Sequence, residues 1–319
     1  MFFQLFIRVL SIFFIIFVGA FARKKKFLND ETTSTLATCI TNFFYPALIV
    51  SSITSGFTIK SLISNWLLPA GTILIMGIGY LTGMTFIKFL SFDSKKQENT
   101  FLFQCTINNY VFLPLPIVAM LLGNTGVAYL VFSSLGSEIS VWTIGILGLT
   151  GNHFEKKAMK NLLSSPMVAL VLSILIIFIR DHFVYSGIIV NNFLKMILQM
   201  IGNSIDMFGK ATVPLALFTA GSRMAHIKIH HIKTDKQLWL VFLRLVFIPA
   251  FACAVISLLP VSREIFLVLI TVAIMPAAIA SIILSDTYHA DTEFASSSVL
   301  LTNIVSLLTI PLWLTLLNR

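Results

Sequence analysis

Charged side chains are scarce. Asp, Glu, Lys and Arg together make up 11% of the 319 residues, where a soluble domain carries about 25%. A soluble fold of this length would lack the polar atoms to cover its surface. This counts against a soluble enzyme, a nucleic-acid binder and a disordered chain. Cysteine is nearly absent. Cys39, Cys105 and Cys253 all lie inside apolar runs without ligand-like spacing, so they read as small buried hydrophobes, and neither a disulfide framework nor a metal site is expected. There is no phosphate-cradling glycine loop, no nucleophile elbow and no zinc-binding histidine pair on a helix. No cofactor and no catalysis are expected, and an ATP-driven pump would need a partner chain as its motor.

What fills the chain is apolar. Hydrophobic residues make up 57% of it, Phe alone occurs 29 times, and the mean hydropathy is +0.94. A membrane-crossing helix needs about 20 apolar residues. Apolar runs fall at about 2–22, 35–54, 63–87, 100–122, 127–149, 166–180, 193–222, 238–259, 264–285 and 295–316. These are segments 1 to 10 of an all-α membrane protein. Segment 6 is short, and residues 192–205 at the start of segment 7 are mixed, as an interfacial stretch would be.

The net charge of +9 does not call for nucleic acid, because the basic residues cluster between apolar runs. Ala20-Phe21-Ala22 imitates a signal-peptide cleavage site, but the cluster Arg23-Lys24-Lys25-Lys26 follows the apolar run, whereas a signal peptide carries it in front. By the positive-inside rule this cluster is cytoplasmic. Alternating sides from there gives inner loops with Lys88, Lys95, Lys96, Lys156, Lys157, Lys160, Arg223, Lys228, Lys233 and Lys236. The outer loops hold only Lys60, Arg180, Lys195 and Arg263. Ten spans with both termini outside the cytoplasm follow, in a plasma (bacterial inner) membrane.

The longest central inner loop, residues 151–165, leaves five spans on each side. An odd number per half inverts one half relative to the other, the inverted-repeat plan of many secondary transporters. The expected units are residues 1–150, a cytoplasmic linker 151–165, and residues 166–319. Segments 2 and 7 both carry proline (Pro46, Pro214) followed by small residues. Segments 4 and 9 carry proline in mid-membrane: Pro114 and Pro116 in one, Pro276 in the other. Segments 5 and 10 carry Glu138 and Asn303 at matching depth. A single proline is explained by a kink. Equivalent breaks in both halves point to a substrate site, since freed backbone survives at membrane depth only where it is buried or lines a cavity.

Several motifs together resemble the auxin efflux carrier family, which includes the plant PIN-FORMED carriers and bacterial malate-permease-like members. They are Arg23-Lys24-Lys25 with the Pro46 helix, Asn109-Tyr110-Val111-Phe112-Leu113-Pro114-Leu115-Pro116 ending at Gly123, and Pro214-Leu215-Ala216-Leu217-Phe218-Thr219-Ala220-Gly221. Met275-Pro276-Ala277-Ala278, Tyr288-His289-Ala290-Asp291 and residues 296–311 complete the match, which runs over essentially the whole chain. The resemblance implies two inverted five-helix repeats. Helices 1, 2, 6 and 7 would form a scaffold, which also offers a surface for a homodimer. Helices 3–5 and 8–10 would form a transport domain, with broken helices 4 and 9 crossing near the midplane. By position Asn109 falls on the family's segment-4 asparagine and Pro116 on its crossover proline. Ser281 stands where plant members have a second proline, so Pro276 is expected to break segment 9 by itself. The implied substrate is a small organic anion such as a carboxylate.

The residues suit that chemistry. Half-helix N-termini favour an anion, and Asn108 and Asn109 add amides without fixed charge. The candidate substrate site is Asn108, Asn109, Pro114, Pro116, Pro276 and Ser281. An intramembrane acid is costly and marks an ion path or a buried hydrogen bond, so Glu138 is a coupling candidate for H+ or Na+, with Asn303 and Arg244. Arg244 is expected to snorkel toward the cytoplasmic surface. Asp206 and Lys210, four apart, are expected to pair. His226, His230 and His231 read as a solvated loop. A channel-like or regulatory membrane protein without turnover is the alternative, and a membrane-embedded enzyme a third reading.

Overall fold

A computed structural model describes residues 2–151, 163–185, 192–225 and 234–317. Residues 152–162 of the expected linker lie outside the described residues, as do His226, His230 and His231. The described chain is helical, with one isolated antiparallel β-bridge. In order the helices are α1 (Phe2–Lys24), α2 (Asp30–Gly56), α3 (Ile59–Ile87), α4 (Lys95–Thr106), α5 (Pro114–Leu149), α6 (Ser165–Tyr185), α7 (Asn192–Met224), α8 (Asp235–Ile256), α9 (Arg263–Ala273), α10 (Ala280–Thr287) and α11 (Thr292–Leu317). Among the described residues seven helices are long and apolar enough to cross a membrane: α1, α2, α3, α5, α6, α8 and α11. Segments 4, 7 and 9 are missing from that set: 4 and 9 are each broken into shorter helices, and α7, though 33 residues long, is too polar.

Polar residues start the helices where the chain turns back. Asn29 and Thr58 form capping boxes with Thr32 and Ser61. Ser94, Ser262 and Asp291 accept hydrogen bonds from the N–H of Gln97, Ile265 and Phe294. Each cap occupies N–H groups that the first turn leaves unpaired. The α2–α3 turn is clipped by an adjacent pair on α6: Arg180 donates to the Thr54 and Phe57 carbonyls, and Asp181 accepts from Ile59 N–H at 2.8 Å. Lys236 pairs with Asp93 at 3.0 Å, which places the α3–α4 turn and the start of α8 on one face.

α1, α2, α6 and α7 pack on one another, and α3, α4, α5, α8, α9, α10 and α11 form a second set. The sets meet where α2 lies on α5 and α1 on α11. The α1–α7 crossing is backbone on backbone. A Cβ at Gly19 would lie 1.9 Å from the Phe218 carbonyl oxygen, and one at Gly221 1.8 Å from that of Ile16. Small residues permit such contact where no hydrophobic effect drives helices together. The outward faces are apolar: Phe3, Phe14 and Phe17 on α1, Phe178 on α6 and Met207 on α7 are exposed.

Three expectations are corrected. α7 runs unbroken for 33 residues through residues 192–205 and past Pro214, so the stretch expected to stand apart is continuous with the rest of the helix. The break in segment 4 is the non-helical run 107–113, and Pro114 and Pro116 stand after it, in the first turn of α5. This follows from the pyrrolidine ring, which suits the first turn and clashes only with a preceding turn. A second discontinuity, at Gly123 with φ 61°, separates the first turns of α5 from the rest. Arg244 does not snorkel: it is fully buried.

Candidate functional site: a cavity floored by two broken helices

The breaks at 107–113 and 274–279 meet as an antiparallel bridge between Asn108 and Ala277. The hydrogen bonds there follow from which backbone groups each break frees. In an unbroken helix Asn109 N–H would serve the Cys105 carbonyl; here it donates to the Pro276 carbonyl at 2.9 Å. Pro276 has no N–H, so the Val272 carbonyl keeps only a 3.2 Å bond from Met275 and is completed by the Asn108 amide. The Cys105 and Ala273 carbonyls are taken by the two terminal nitrogens of Arg244, at 2.9 and 2.7 Å. Buried backbone groups left without partners would cost about 1–3 kcal/mol each.

Above this floor lies a cavity of about 520 Å³. Asn108, Asn109, Glu138 and Asn303 line it; Pro114, Pro116, Pro276, Ser281 and Arg244 do not. Asn109 is half-buried, and its side-chain oxygen accepts a 3.4 Å bond from Leu113 N–H, leaving its NH2 group without a partner among the described residues. Asn303 donates to the Val299 carbonyl, and its buried side-chain oxygen has no partner among the described residues. Ser281 is buried inside α10 and accepts from Gln104 at 3.0 Å, a bond that ties α4 to α10 behind the floor. Its serine leaves the α10 helix intact, and Pro276 stands alone in the second break.

Glu138 accepts two hydrogen bonds, from the Tyr110 hydroxyl at 2.9 Å and the Trp142 indole N–H at 3.3 Å. Tyr110 and Trp142 line the same cavity. Both were within reach of sequence reasoning: Tyr110 follows Asn109, and Trp142 stands one helical turn after Glu138. Arg223 was missed as a site residue. It reads as one of several loop charges, yet among the described residues it is the one cation lining the cavity, and no described residue pairs with it.

The two half-helices differ as anion sites. In the first turn of α5, Pro114 and Pro116 have no N–H, and Leu115 N–H is taken by the Val111 carbonyl. The start of α5 therefore offers its dipole with few backbone donors. The first turn of α10, residues 280–283, holds no proline, although Ser281 and Ile282 N–H are taken by the Ala278 and Ile279 carbonyls; Ala278, Ile279 and Ala280 line the cavity. On the far side the lining reaches Ser164 and Pro166 at the start of α6 and Ala220 and Arg223 near the end of α7. A 2.7 Å bond between Thr33 and Ser222 ties this end of α7 to the first turn of α2, next to Arg23 and Lys24.

Residues 4–314 match the family described as membrane transport protein. The chain belongs to that family. It is the auxin efflux carrier-like family suggested by the motifs around Pro46, Asn109, Pro214 and Pro276. The chain is 24% identical over 314 residues to an uncharacterized transporter of Methanocaldococcus jannaschii, covering 96% of each chain. It is 24% identical over 311 residues to an uncharacterized transporter of Methanothermobacter thermautotrophicus, again covering 96% of each. As a member of the membrane transport protein family, it is a multi-pass membrane protein. The family match spans residues 4–314, so both breaks and the cavity lie inside it.

Proposed function

We propose that this protein is a secondary transporter that moves a small organic anion, a carboxylate by chemical class, across the plasma membrane by alternating access. The observation that carries the reading is the meeting of two helix breaks at the floor of one cavity, with Asn109 presenting an unpartnered amide beside it. Broken helices at mid-membrane are where transporters hold substrate. Helix starts and amide donors favour a carboxylate, and Arg223 suits a second carboxylate on the same molecule.

Each broken run counts as one span in this reading, with residues 114–122 joined to α4 and residues 124–149 crossing separately. The helices then make ten spans in two inverted repeats of five. The packing of α1, α2, α6 and α7 against one another favours their role as scaffold. The remaining helices would move as the transport domain. The Gly19 and Gly221 contacts suit a rigid scaffold, since neither helix can slide without backbone overlap. The cavity reaches the face that bears Lys24 and Arg223, an inward-facing arrangement under the charge rule. Glu138 is the proposed proton carrier: it is ionisable, lines the cavity and touches the first break through Tyr110.

The test is counterflow in proteoliposomes with a panel of radiolabelled mono- and dicarboxylates. Saturable uptake that rises when the same carboxylate is loaded inside supports the reading. Linear, non-saturating flux would favour a channel.

A further inference from the structure

The buried guanidinium of Arg244 has no role in the cavity and needs its own explanation. Arg244 lies on α8, fully buried, and pairs with no carboxylate among the described residues. An unpaired buried charge costs several kcal/mol, and more at the depth of a membrane. Both of its bonded partners are backbone carbonyls at helix ends: Cys105 in the last turn of α4, and Ala273, the last residue of α9. A helix C-terminus carries roughly half a negative elementary charge. Two such ends together balance one guanidinium. The breaks create this negative pocket, because Cys105 loses its helical donor to Pro276 and Ala273 stands where α9 stops.

In transporters that couple to Na+, half-helix C-terminal ends and unwound carbonyls are the groups that coordinate the ion. We propose that the Arg244 side chain is a tethered counter-cation: it holds the place at the crossing that a coupling Na+ would take, so the crossing binds no cation from solution. It is a positioning residue, since it touches neither the cavity nor anything bound there. Its two-pronged grip joins α4 to α9 and keeps both breaks open with no ion present. The consequence for coupling rests on the transporter reading above. The binding claim does not, and a substrate-free measurement tests it.

Purified full-length protein in detergent is melted in sodium chloride, potassium chloride and choline chloride at equal ionic strength. The wild type is expected to melt at one temperature in all three. Arg244→Lys, which keeps the charge, is expected to retain most of the stability. Arg244→Met, similar in length but neutral, leaves two buried carbonyls unpaired and is expected to melt on the order of 5 °C or more below the Lys variant. Arg244→Ala vacates the pocket, and sodium or methylguanidinium chloride, but not choline chloride, should recover part of its loss.

A wild type stabilised by sodium over choline overturns the proposal, because the pocket would then be open to the ion. A Met variant that melts with or above the Lys variant also overturns it, as does a folded Ala variant that neither cation stabilises. If only the Lys variant folds, the requirement for charge is upheld and the wild-type salt comparison remains decisive. Failure of every carboxylate to show counterflow would remove the transporter reading while leaving these melting results standing.

Discussion

The two breaks in the membrane helices are built from opposite materials. The first, at 107–113, is rich in side-chain chemistry: Asn108, Asn109 and Tyr110 follow one another, and Tyr110 leads on to Glu138. The second, at 274–279, reads Ile-Met-Pro-Ala-Ala-Ile and offers only backbone and apolar surface. Proline is also placed differently. In the second break Pro276 stands inside the unwound run and frees the Val272 carbonyl; in the first, Pro114 and Pro116 stand beyond it and strip N–H groups from the next helix. The difference separates two tasks. In the proposed transport reading the first break would supply recognition and proton chemistry, and the second a narrow floor and a helix start without proline. They share one device, Arg244, which closes the carbonyl ends of both.

If ionisable chemistry belongs to the first break alone, Glu138→Gln is the most damaging substitution. Proton-driven accumulation should be lost, with substrate-for-substrate exchange retained. Accumulation at the wild-type level in a pH-gradient assay would remove Glu138 from coupling. Next in size is Arg223→Gln. It should weaken apparent affinity for dicarboxylates about tenfold, the equivalent of one hydrogen bond to a charged group. Monocarboxylates should change little, and an equal loss for both classes would put Arg223 outside the recognition of a second carboxylate.

The second break is tested by adding bulk. Ala277 is fully buried opposite Asn108. Ala277→Val should overpack the floor by about 1–3 kcal/mol, lowering melting temperature and turnover with little change in apparent affinity. A change in affinity alone would mean that this break also recognises substrate by its side chains. The smallest effect is expected from Pro116→Ala. The substitution restores one N–H in the first turn of α5 and leaves the upstream break intact, so transport should stay within about twofold of wild type. A large loss would show that Pro116 itself holds segment 4 open.

The membrane class and the two segments that hold the breaks were legible because each rests on a local signal: hydropathy and proline. The Asp206–Lys210 pair was legible for the same reason, being one turn apart on one helix, and Lys210 does bridge Asp206. What was not legible depends on distant partners. Arg244 looked like a snorkelling cation because its sequence neighbours are apolar. Its carbonyl partners lie 139 and 29 residues away in the chain. Arg223 looked like a topology charge, because only the fold turns the end of α7 toward the cavity. Ser281 was read against a family proline and sits instead inside α10, bonded to a glutamine 177 residues distant. Pro116 carried the right segment but the wrong side of the break, since proline marks a boundary more readily than it states on which side the helix resumes.

Asn109 decides whether the first break is the recognition site. Affinity of a radiolabelled carboxylate that shows counterflow should be measured for wild type and Asn109→Ala side by side in the same proteoliposomes. The alanine variant should fold and insert normally, because the Asn109 side chain contributes only one 3.4 Å bond to Leu113. Losing a hydrogen bond to a carboxylate, about 1.5–3 kcal/mol, should weaken affinity between about tenfold and a hundredfold. If Asn109→Ala binds and transports every accepted carboxylate as the wild type does, the substrate does not sit at the crossing.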